Sequence, residues 1–278
     1  MSQHPQATDR TGPAPVTLAQ LRRARSEGRP ITMLTAYDAS FARVLDQAGI
    51  DCILVGDSLG NVVQGRDSTL PVTVADMAYH VACVRRGVSR ALVIADLPFL
   101  SYTDVPQAVA STRTLMQAGA AMIKLEGGQA VLDVVAQLSA HGVPVCGHLG
   151  LTPQSVHQLS GYRVQGRAPE QRRQLLDEAR ALAEAGIAML VLECVPAGLA
   201  AEITRSVDVP VIGIGAGAAV NGQVLVLHDL LGLGSGRRPR FVRDFLAGRD
   251  SIEAAVTAYI HAVRERSFPA AEESYPDD

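Results

Sequence analysis

The sequence has 278 residues, enough for one large domain or two ordinary ones, and its 47% hydrophobic content with 4% aromatic residues predicts a core of aliphatic side chains. The net charge of −3, with charges of both signs scattered along the chain, excludes a large basic surface for nucleic acid, so we expect a small-molecule partner. No apolar run reaches the roughly 20 residues that a membrane helix needs, and residues 1–15 lack the apolar centre of a signal peptide, so we expect a cytoplasmic protein.

The chain begins with a polar extension, residues 1–15, that we predict to be disordered. A short helix follows over residues 17–25, with Thr17 as its N-cap. From there a short apolar strand, a turn marked by glycine or proline, and an amphipathic helix recur along the chain, which is typical of a parallel sheet with helices outside. Strands are predicted over residues 31–36, 52–56, 91–95, 121–125, 143–147, 188–192, 209–214 and 225–227. Helices are predicted over residues 40–48, 74–86, 105–118, 130–140, 170–185, 199–206 and 251–264.

Eight such units are the usual content of a (β/α)8 TIM barrel, which we predict as a single catalytic domain over residues 16–268 with an extra N-terminal helix. A doubly wound sheet is the alternative. The barrel is favoured because polar residues follow several different strands, whereas an open sheet gathers them at one crevice. Two long connections, residues 58–72 and 150–168, are candidates for a lid over the mouth. Residues 269–278 are predicted to be a flexible acidic tail.

Four apolar runs each end on an acidic residue: Asp57, Asp96, Glu126 and Glu193. Carboxylates gathered at the ends of buried strands would repel one another unless a cation lies among them. Asp57, Asp96 and Glu126 supply only oxygen ligands, which suit Mg²⁺. One such acid alone would more often cap a helix or form an ion pair, so the metal hypothesis depends on the three occurring together.

Three further residues have two possible roles each. Lys124 precedes Glu126 by two residues, so both side chains point to one face of a strand, where the lysine would either bind a substrate oxygen or form a structural ion pair. Glu193 follows four aliphatic residues and would be desolvated, which suits a proton acceptor near neutral pH, but backbone amides would also satisfy such a group. His148, at the end of the fifth strand, is equally compatible with a structural and a functional role.

The cysteines and one glycine-rich segment form two further patterns in the sequence. The cysteines at 52, 83, 146 and 194 have no CxxC spacing, so we expect reduced thiols rather than disulfides or a zinc site. The sequence GIGAG at residues 213–217 lacks the spacing of a dinucleotide fingerprint, so we do not predict nucleotide binding. We expect these glycines to let the backbone approach an anionic group.

Several blocks, in order between residues 31 and 268, resemble the ketopantoate hydroxymethyltransferase family. They are TAYD at 35–38, GDSLG at 56–60, DLPF at 96–99, KLEGG at 124–128, GHLGLTPQ at 147–154, LECVP at 192–196 and GIGAG at 213–217. The sequence departs from the family in residues 1–15, in the loop 234–240 and in the tail, which leaves the core of the site alone.

The resemblance implies a barrel of the phosphoenolpyruvate/pyruvate group that uses Mg²⁺ to transfer a hydroxymethyl group from 5,10-methylenetetrahydrofolate to 3-methyl-2-oxobutanoate in pantothenate synthesis. It also implies a homo-oligomer, a decamer. Its site pattern assigns the metal to Asp57, Asp96 and Glu126, the oxoacid to Asp57, Ser58, Asp96 and Lys124, and proton acceptance to Glu193.

Two other functions stay open at this point. One is a folate-independent, Mg²⁺-dependent lyase that cleaves or forms a C–C bond next to an oxoacid on the same barrel. The other is a catalytically silent barrel that binds an oxoacid or serves as a scaffold.

Overall fold

The computed structural model describes residues 14–234 and 238–277. Eight parallel strands close into a barrel, each paired with its neighbours in chain order and the last paired with the first. Closure excludes the doubly wound sheet and confirms the predicted barrel. The strands are β1 Ile31–Thr35, β2 Cys52–Val55, β3 Leu92–Asp96, β4 Met122–Glu126, β5 Val145–Gly150, β6 Met189–Glu193, β7 Val211–Ile214 and β8 Gly222–Leu225.

The predicted eighth strand is the one that the sequence misplaces. It was expected over residues 225–227, but β8 spans Gly222–Leu225. Gly222 and Gln223, the first two residues of β8, fit the barrel for specific reasons. A Cβ at Gly222 would collide with the carbonyl oxygen of Ile31, its partner in β1, so glycine allows the two strands to pair. The buried Gln223 amide donates a hydrogen bond to the Gly217 carbonyl at 2.9 Å.

The predicted helices lie outside the barrel in the expected places, with boundaries shifted by a few residues. Two short helices were not predicted: Leu59–Val62 lies in the connection 58–72, and Leu227–Leu230 begins at the end of the predicted eighth strand. The predicted helix over 130–140 begins as a 3₁₀ turn, Gln129–Val131, before it becomes α-helical. Thr17 caps the first helix as expected, through a capping box with Gln20. The α-helices are α1 Leu18–Ser26, α2 Ala39–Ala48, α3 Leu59–Val62, α4 Val74–Gly87, α5 Val105–Ala118, α6 Leu132–Ala140, α7 Pro169–Ala185, α8 Ala197–Ser206, α9 Leu227–Leu230 and α10 Ile252–Arg264.

The core lies between the strands and these helices and is almost entirely aliphatic, as the composition predicts. Tyr259 of α10 is an aromatic exception. Its buried hydroxyl lies 2.9 Å from the carbonyl oxygens of Met33 in β1 and Gln223 in β8, so α10 is fixed to the strands that meet where the barrel closes. Within the residues that the structure describes, none of the helices combines the length and apolar character that a membrane crossing demands.

The two predicted terminal segments have different outcomes. The predicted disordered extension falls on residues 1–15, of which residues 1–13 lie outside the described part of the chain. The tail, predicted to be flexible, makes specific contacts from residue 269 to residue 277. Its carboxylates find arginine partners far away in sequence, with Glu273 2.7 Å from Arg243 and Asp277 3.0 Å from Arg172.

Asp46, near the end of α2, connects that helix to the loop before β3. Its carboxylate accepts hydrogen bonds of 2.7–3.2 Å from the backbone N–H groups of Ser89, Arg90 and Ala91, and from the Ser89 hydroxyl. Burial raises the pKa of Asp46, but these hydrogen bonds lower it more, so the pKa lies below its ordinary value. The ionised form is therefore the one that stabilises the fold.

We expect Asp46→Asn to lower the free energy of unfolding by about 1–3 kcal/mol at neutral pH, because the amide turns N–H groups toward backbone donors. The folded-state pKa is below the unfolded value of about 3.9, so the stabilisation is present above that value and is lost as the pH falls through the folded-state pKa. Urea unfolding of wild type and variant, from neutral to acid pH, measures the difference. The matched control is Asp250→Asn at an exposed position. A difference that persists unchanged in acid would contradict the role given to Asp46.

Candidate active site

A cavity of about 720 Å³ opens at the carboxyl ends of the strands, within the size range of small-molecule pockets. Every residue to which the sequence assigned a site role lines it. Asp96, Glu126 and Glu193 are the final residues of β3, β4 and β6, and Asp57 follows β2 by two residues. The floor is formed by Asp57, Asp96, Lys124, Glu126, His148 and Glu193.

Lys124 and Asp96 form a buried ion pair on neighbouring strands. The Lys124 Nζ lies 2.7 Å from Asp96 Oδ1, and the two side chains are 6% and 4% exposed. Burial lowers the pKa of Lys124, but the charges of Asp96, Glu126 and Asp57 raise it more, so the pKa lies above its ordinary value. Lys124 is therefore a permanent cation in the floor of the cavity.

Asp57 is held in place by hydrogen bonds to its neighbours. Its N–H donates to Asp96 Oδ2 at 3.1 Å, and its Oδ2 accepts a hydrogen bond from the Gln154 side-chain amide at 2.9 Å. Burial, followed by the negative charges of Asp96 and Glu126, raises the pKa of Asp57 to about 8. This group of acids has more negative charge than Lys124 alone offsets.

His148 lies between the carboxylates of Glu126 and Glu193. Its Nδ1 is 3.2 Å from Glu126 Oε1, and its Nε2 is 3.3 Å from Glu193 Oε2, without the alignment of a hydrogen bond. Burial and the charge of Lys124 lower the pKa of His148, but Glu126 and Glu193 raise it more, to about 9. A protonated His148 therefore joins the proposed metal group to the proposed proton acceptor.

Glu126 and Glu193 differ in how they are held. Burial raises the pKa of Glu126, but His148, Lys124 and the backbone N–H of Gln154 lower it below its ordinary value. Both oxygens of Glu126 are engaged, Oε1 by His148 and Oε2 by the Gln154 N–H at 3.0 Å. The Glu193 side chain is 17% exposed, so it is less desolvated than its sequence context predicted. Its cationic neighbour is the protonated His148.

Ser58 contributes a hydroxyl to the cavity wall, 2.8 Å from the Tyr37 hydroxyl. Glycine precedes the Asp57–Ser58 pair for a steric reason. A Cβ at Gly56 would come within 2.9 Å of the Ser58 Oγ and 3.4 Å of Asp96 Oδ2. The glycine therefore lets the chain turn from β2 into the site without displacing either polar group.

Gln154 and Tyr102 are site residues that the sequence did not single out. The Gln154 side-chain amide donates to Asp57 Oδ2 and to the Leu97 carbonyl, both at 2.9 Å, and its Oε1 accepts from the Tyr102 hydroxyl at 2.6 Å. The sequence signals for Gln154 were its place in the long polar connection after β5 and its position at the end of the block GHLGLTPQ, and neither assigned it a role. Nothing in the sequence around Tyr102 indicated a contact with this region.

The two candidate lids differ in position. Residues 150–168 supply six lining residues, including Tyr162, Arg163 and Arg167, whereas Ser58 alone lines the cavity from residues 58–72. In the GIGAG segment, a Cβ at Gly215, whose φ is +63°, would lie 2.8 Å from the Phe241 ring and 3.2 Å from the Tyr275 ring, so this glycine makes room for aromatic side chains.

The donor set of Asp57, Asp96 and Glu126 fits Mg²⁺ by chemistry and charge. Across residues 14–234 and 238–277, no three histidine, cysteine or acidic side chains are arranged as a ready-made metal cluster. The carboxylate oxygens of these residues suit Mg²⁺, because that ion keeps several waters and binds through one or two carboxylates together with its substrate. Burial and the negative charges of Asp96 and Glu126 raise the pKa of Asp57, and a bound divalent cation would offset that negative charge.

Comparison with solved structures supports the fold. Phosphonopyruvate hydrolase, in a complex with oxalate and Mg²⁺, superposes with a TM-score of 0.61 and 15% identity, covering 90% of this chain and 96% of that one. The 2,3-dimethylmalate lyase, described as a PEP mutase/isocitrate lyase superfamily member, has a TM-score of 0.54 and 18% identity, covering 75% of this chain and 80% of that one. Both comparisons confirm the barrel fold.

Comparison of sequences identifies the family. The family model described as ketopantoate hydroxymethyltransferase matches residues 15–271. A Pseudomonas fluorescens protein named 3-methyl-2-oxobutanoate hydroxymethyltransferase 2 is 58% identical over 261 residues, covering 94% of this chain and 98% of that one. A match of this extent, over all the strands that carry the floor of the cavity, shows that the chain belongs to the ketopantoate hydroxymethyltransferase family.

Proposed function

We propose that this chain uses Mg²⁺ and 5,10-methylenetetrahydrofolate to place a hydroxymethyl group on C3 of 3-methyl-2-oxobutanoate, giving 2-dehydropantoate. The observation that carries the proposal is the meeting of Asp57, Asp96, Lys124 and Glu193 in the floor of one cavity. Membership of the family and the 58% identical relative support the reaction. The donor, the metal and the roles of individual residues are the proposed part.

Asp57, Asp96 and Glu126 are the proposed residues that hold Mg²⁺. Because both oxygens of Glu126 already accept hydrogen bonds, a contact through water is favoured for this residue. When bound, Mg²⁺ would supply Lewis-acid polarisation of the oxoacid keto group and so make its C3 proton more acidic. The phosphonopyruvate hydrolase complex with oxalate and Mg²⁺ supports this use of the barrel, since oxalate and a 2-oxoacid both have adjacent oxygens.

The oxoacid is proposed to contact Asp57, Ser58, Asp96 and Lys124. Lys124 is fixed by its 2.7 Å pair with Asp96, so its ammonium group offsets the negative charge that develops on the oxoacid without moving. The Ser58 hydroxyl, held by Tyr37, offers a neutral contact beside it. These groups fix the orientation of the oxoacid at the floor.

Glu193 is the proposed proton acceptor. His148 faces one of its oxygens at 3.3 Å, which orients the carboxylate in the cavity. Glu193 takes the C3 proton, and the electron pair left at C3 spreads onto the keto oxygen. The C3 carbon then bonds to the methylene carbon of the iminium form of the folate, and the C=N electron pair moves to the nitrogen. Water displaces that nitrogen from the methylene carbon and gives it a proton, so that tetrahydrofolate leaves and the hydroxymethyl group stays on C3. Residues 150–168, at the mouth, are placed to limit access of bulk water.

The reaction is tested by supplying the oxoacid and Mg²⁺ with and without 5,10-methylenetetrahydrofolate. We expect exchange of the C3 proton with solvent in both samples, followed by nuclear magnetic resonance, and product only with the folate. Turnover without folate would favour a lyase. Absence of Mg²⁺-dependent exchange would favour a barrel that binds the oxoacid without acting on it.

We expect Glu193→Gln to slow C3 exchange by at least about 100-fold, since an amide does not accept the proton, while Mg²⁺-dependent binding of the oxoacid is retained. Exchange rates and calorimetric binding of the oxoacid measure the two effects. Glu184→Gln, at an exposed position on α7, is the matched control and should change neither. Exchange at the wild-type rate in Glu193→Gln would remove Glu193 from its proposed role.

We expect Asp57→Ala to weaken Mg²⁺-dependent binding of the oxoacid by about tenfold or more, because a carboxylate that holds the metal has been lost. Isothermal titration with the oxoacid, in the presence and absence of Mg²⁺, measures the loss. Asp67→Ala, in an exposed part of the loop after α3, is the control. Unchanged binding in Asp57→Ala would contradict its assignment to the metal.

A homo-oligomer, a decamer by family resemblance, and a cytoplasmic location complete the proposal. The exposed apolar side chains of Val63, Tyr79 and Leu100, which are 46%, 68% and 57% exposed, are available for contacts between subunits. The molar mass from light scattering tests the decamer.

A further inference from the structure

The C-terminal segment, residues 270–277, lies beside the turn that carries Glu193. That turn, residues 193–196, leads from β6 into α8. Tyr275 of the segment and Cys194 of the turn both line the cavity. The segment therefore reaches the site to which the reaction was assigned, although its acidic composition predicted a free tail.

The segment caps α8, a helix that has no cap of its own. The N-cap position is Pro196, which makes no side-chain cap. The first two N–H groups of the helix bond instead to the segment: Ala197 N–H to the Tyr275 carbonyl at 2.9 Å, and Gly198 N–H to Asp277 Oδ2 at 3.0 Å. A Cβ at Gly198 would collide with the Asp277 carboxylate.

Arginines outside the segment hold it at several points. Arg243 makes two hydrogen bonds to the Glu273 carboxylate, at 2.8 and 2.7 Å, and its guanidinium lies over the Phe268 ring. Arg240 donates to the Ser274 carbonyl at 3.3 Å and lies 5.9 Å from the centre of the Tyr275 ring. The position of Tyr275 is therefore fixed from both sides.

Cys194 is the residue of the turn whose side chain neighbours that of Tyr275. It is 5% exposed and has a φ of +49°, a backbone conformation that residues with a Cβ rarely adopt. Such a conformation persists only when its surroundings hold it. Burial and the neighbouring Cys194 thiol raise the pKa of Tyr275 to about 12, so its hydroxyl stays protonated at neutral pH.

We propose that Tyr275 is a positioning residue, which covers Cys194 and, through the turn 193–196, holds Glu193 in its place beside His148. The positioning part rests on the proposed role of Glu193 as proton acceptor, whereas the docking of the segment does not. Loss of the Tyr275 ring would leave the left-handed turn without its cover and allow the Glu193 carboxylate to shift. A shift of about 1 Å in a catalytic group costs as much as 100-fold in rate.

The first measurement tests whether the C-terminal segment is docked on the turn, and it does not depend on enzyme activity. Iodoacetamide is added to the intact proteins, and alkylation of each cysteine is quantified by mass spectrometry, with the fully buried Cys52 as internal reference. We expect Tyr275→Ala to increase the alkylation rate of Cys194 about tenfold or more, because the thiol gains access to solvent. Tyr275→Phe, which keeps the ring, and Glu272→Ala, at an exposed position of the same segment, should leave the rate near that of wild type.

The second measurement follows C3 proton exchange on 3-methyl-2-oxobutanoate with Mg²⁺. We expect Tyr275→Ala to lower kcat for exchange about 10- to 100-fold with little change in KM for the oxoacid, and Tyr275→Phe to restore most of it. A role confined to stability would lower the melting temperature and leave kcat unchanged.

The outcomes separate this inference from the proposed function. An unchanged alkylation rate in Tyr275→Ala overturns the docking, and faster alkylation with unchanged exchange overturns the positioning role. A wild type without exchange overturns the role of Glu193 and the positioning role with it, while the alkylation rates still decide the docking. If Tyr275→Ala does not fold, Asp277→Ala removes one cap of α8 and keeps the ring. It should raise Cys194 alkylation and lower kcat in the same directions, and no change in either would overturn the inference.

Discussion

Acidic and basic side chains are buried together in the floor of the cavity, and the site depends on the balance between their charges. Four carboxylates meet there, and one of them, Asp57, has its pKa raised to about 8 by burial and by its acidic neighbours. Lys124 and His148 supply the positive charge that the chain itself provides. Removing one partner of a buried ion pair leaves the other charge buried without a partner. The acids and cations of this floor therefore form a single electrostatic unit.

The register of the parallel strands places the two members of each charged pair opposite each other. Asp96 in β3 stands opposite Lys124 in β4, and Glu126 in β4 stands opposite His148 in β5. Each cation is therefore the strand neighbour of the acid that it stabilises, and no flexible loop is needed to bring them together. Gln154 and the C-terminal segment add the parts that strands do not supply, by orienting Asp57 and by capping the helix after Glu193. The strands hold the charged residues, and the connecting segments orient the side chains and the helix beside them.

The parts that the sequence predicted are those that depend on local pattern. Apolar runs ending on an acid located Asp57, Asp96, Glu126 and Glu193, because the side-chain period and the burial of parallel strands are local properties. Gln154 was missed because its four hydrogen-bond partners come from distant parts of the chain. The role of His148 stayed open because spacing along one strand says nothing about the acid on the next strand. The contacts of the tail were not predicted because its partners, Arg172 and Arg243, are remote in sequence.

Gly222 has a consequence for how the molecule is assembled. It lies where the last strand meets the first, and the absence of a side chain lets β8 pair with β1. Contacts between residues so far apart along the chain are slow to form, which makes closure of the barrel a late step in folding. Until that step, β1 and β8 are two open edges that can pair with other chains. A side chain at this one position would prolong the exposure of both edges, so this glycine protects the folding chain against aggregation as well as completing the barrel.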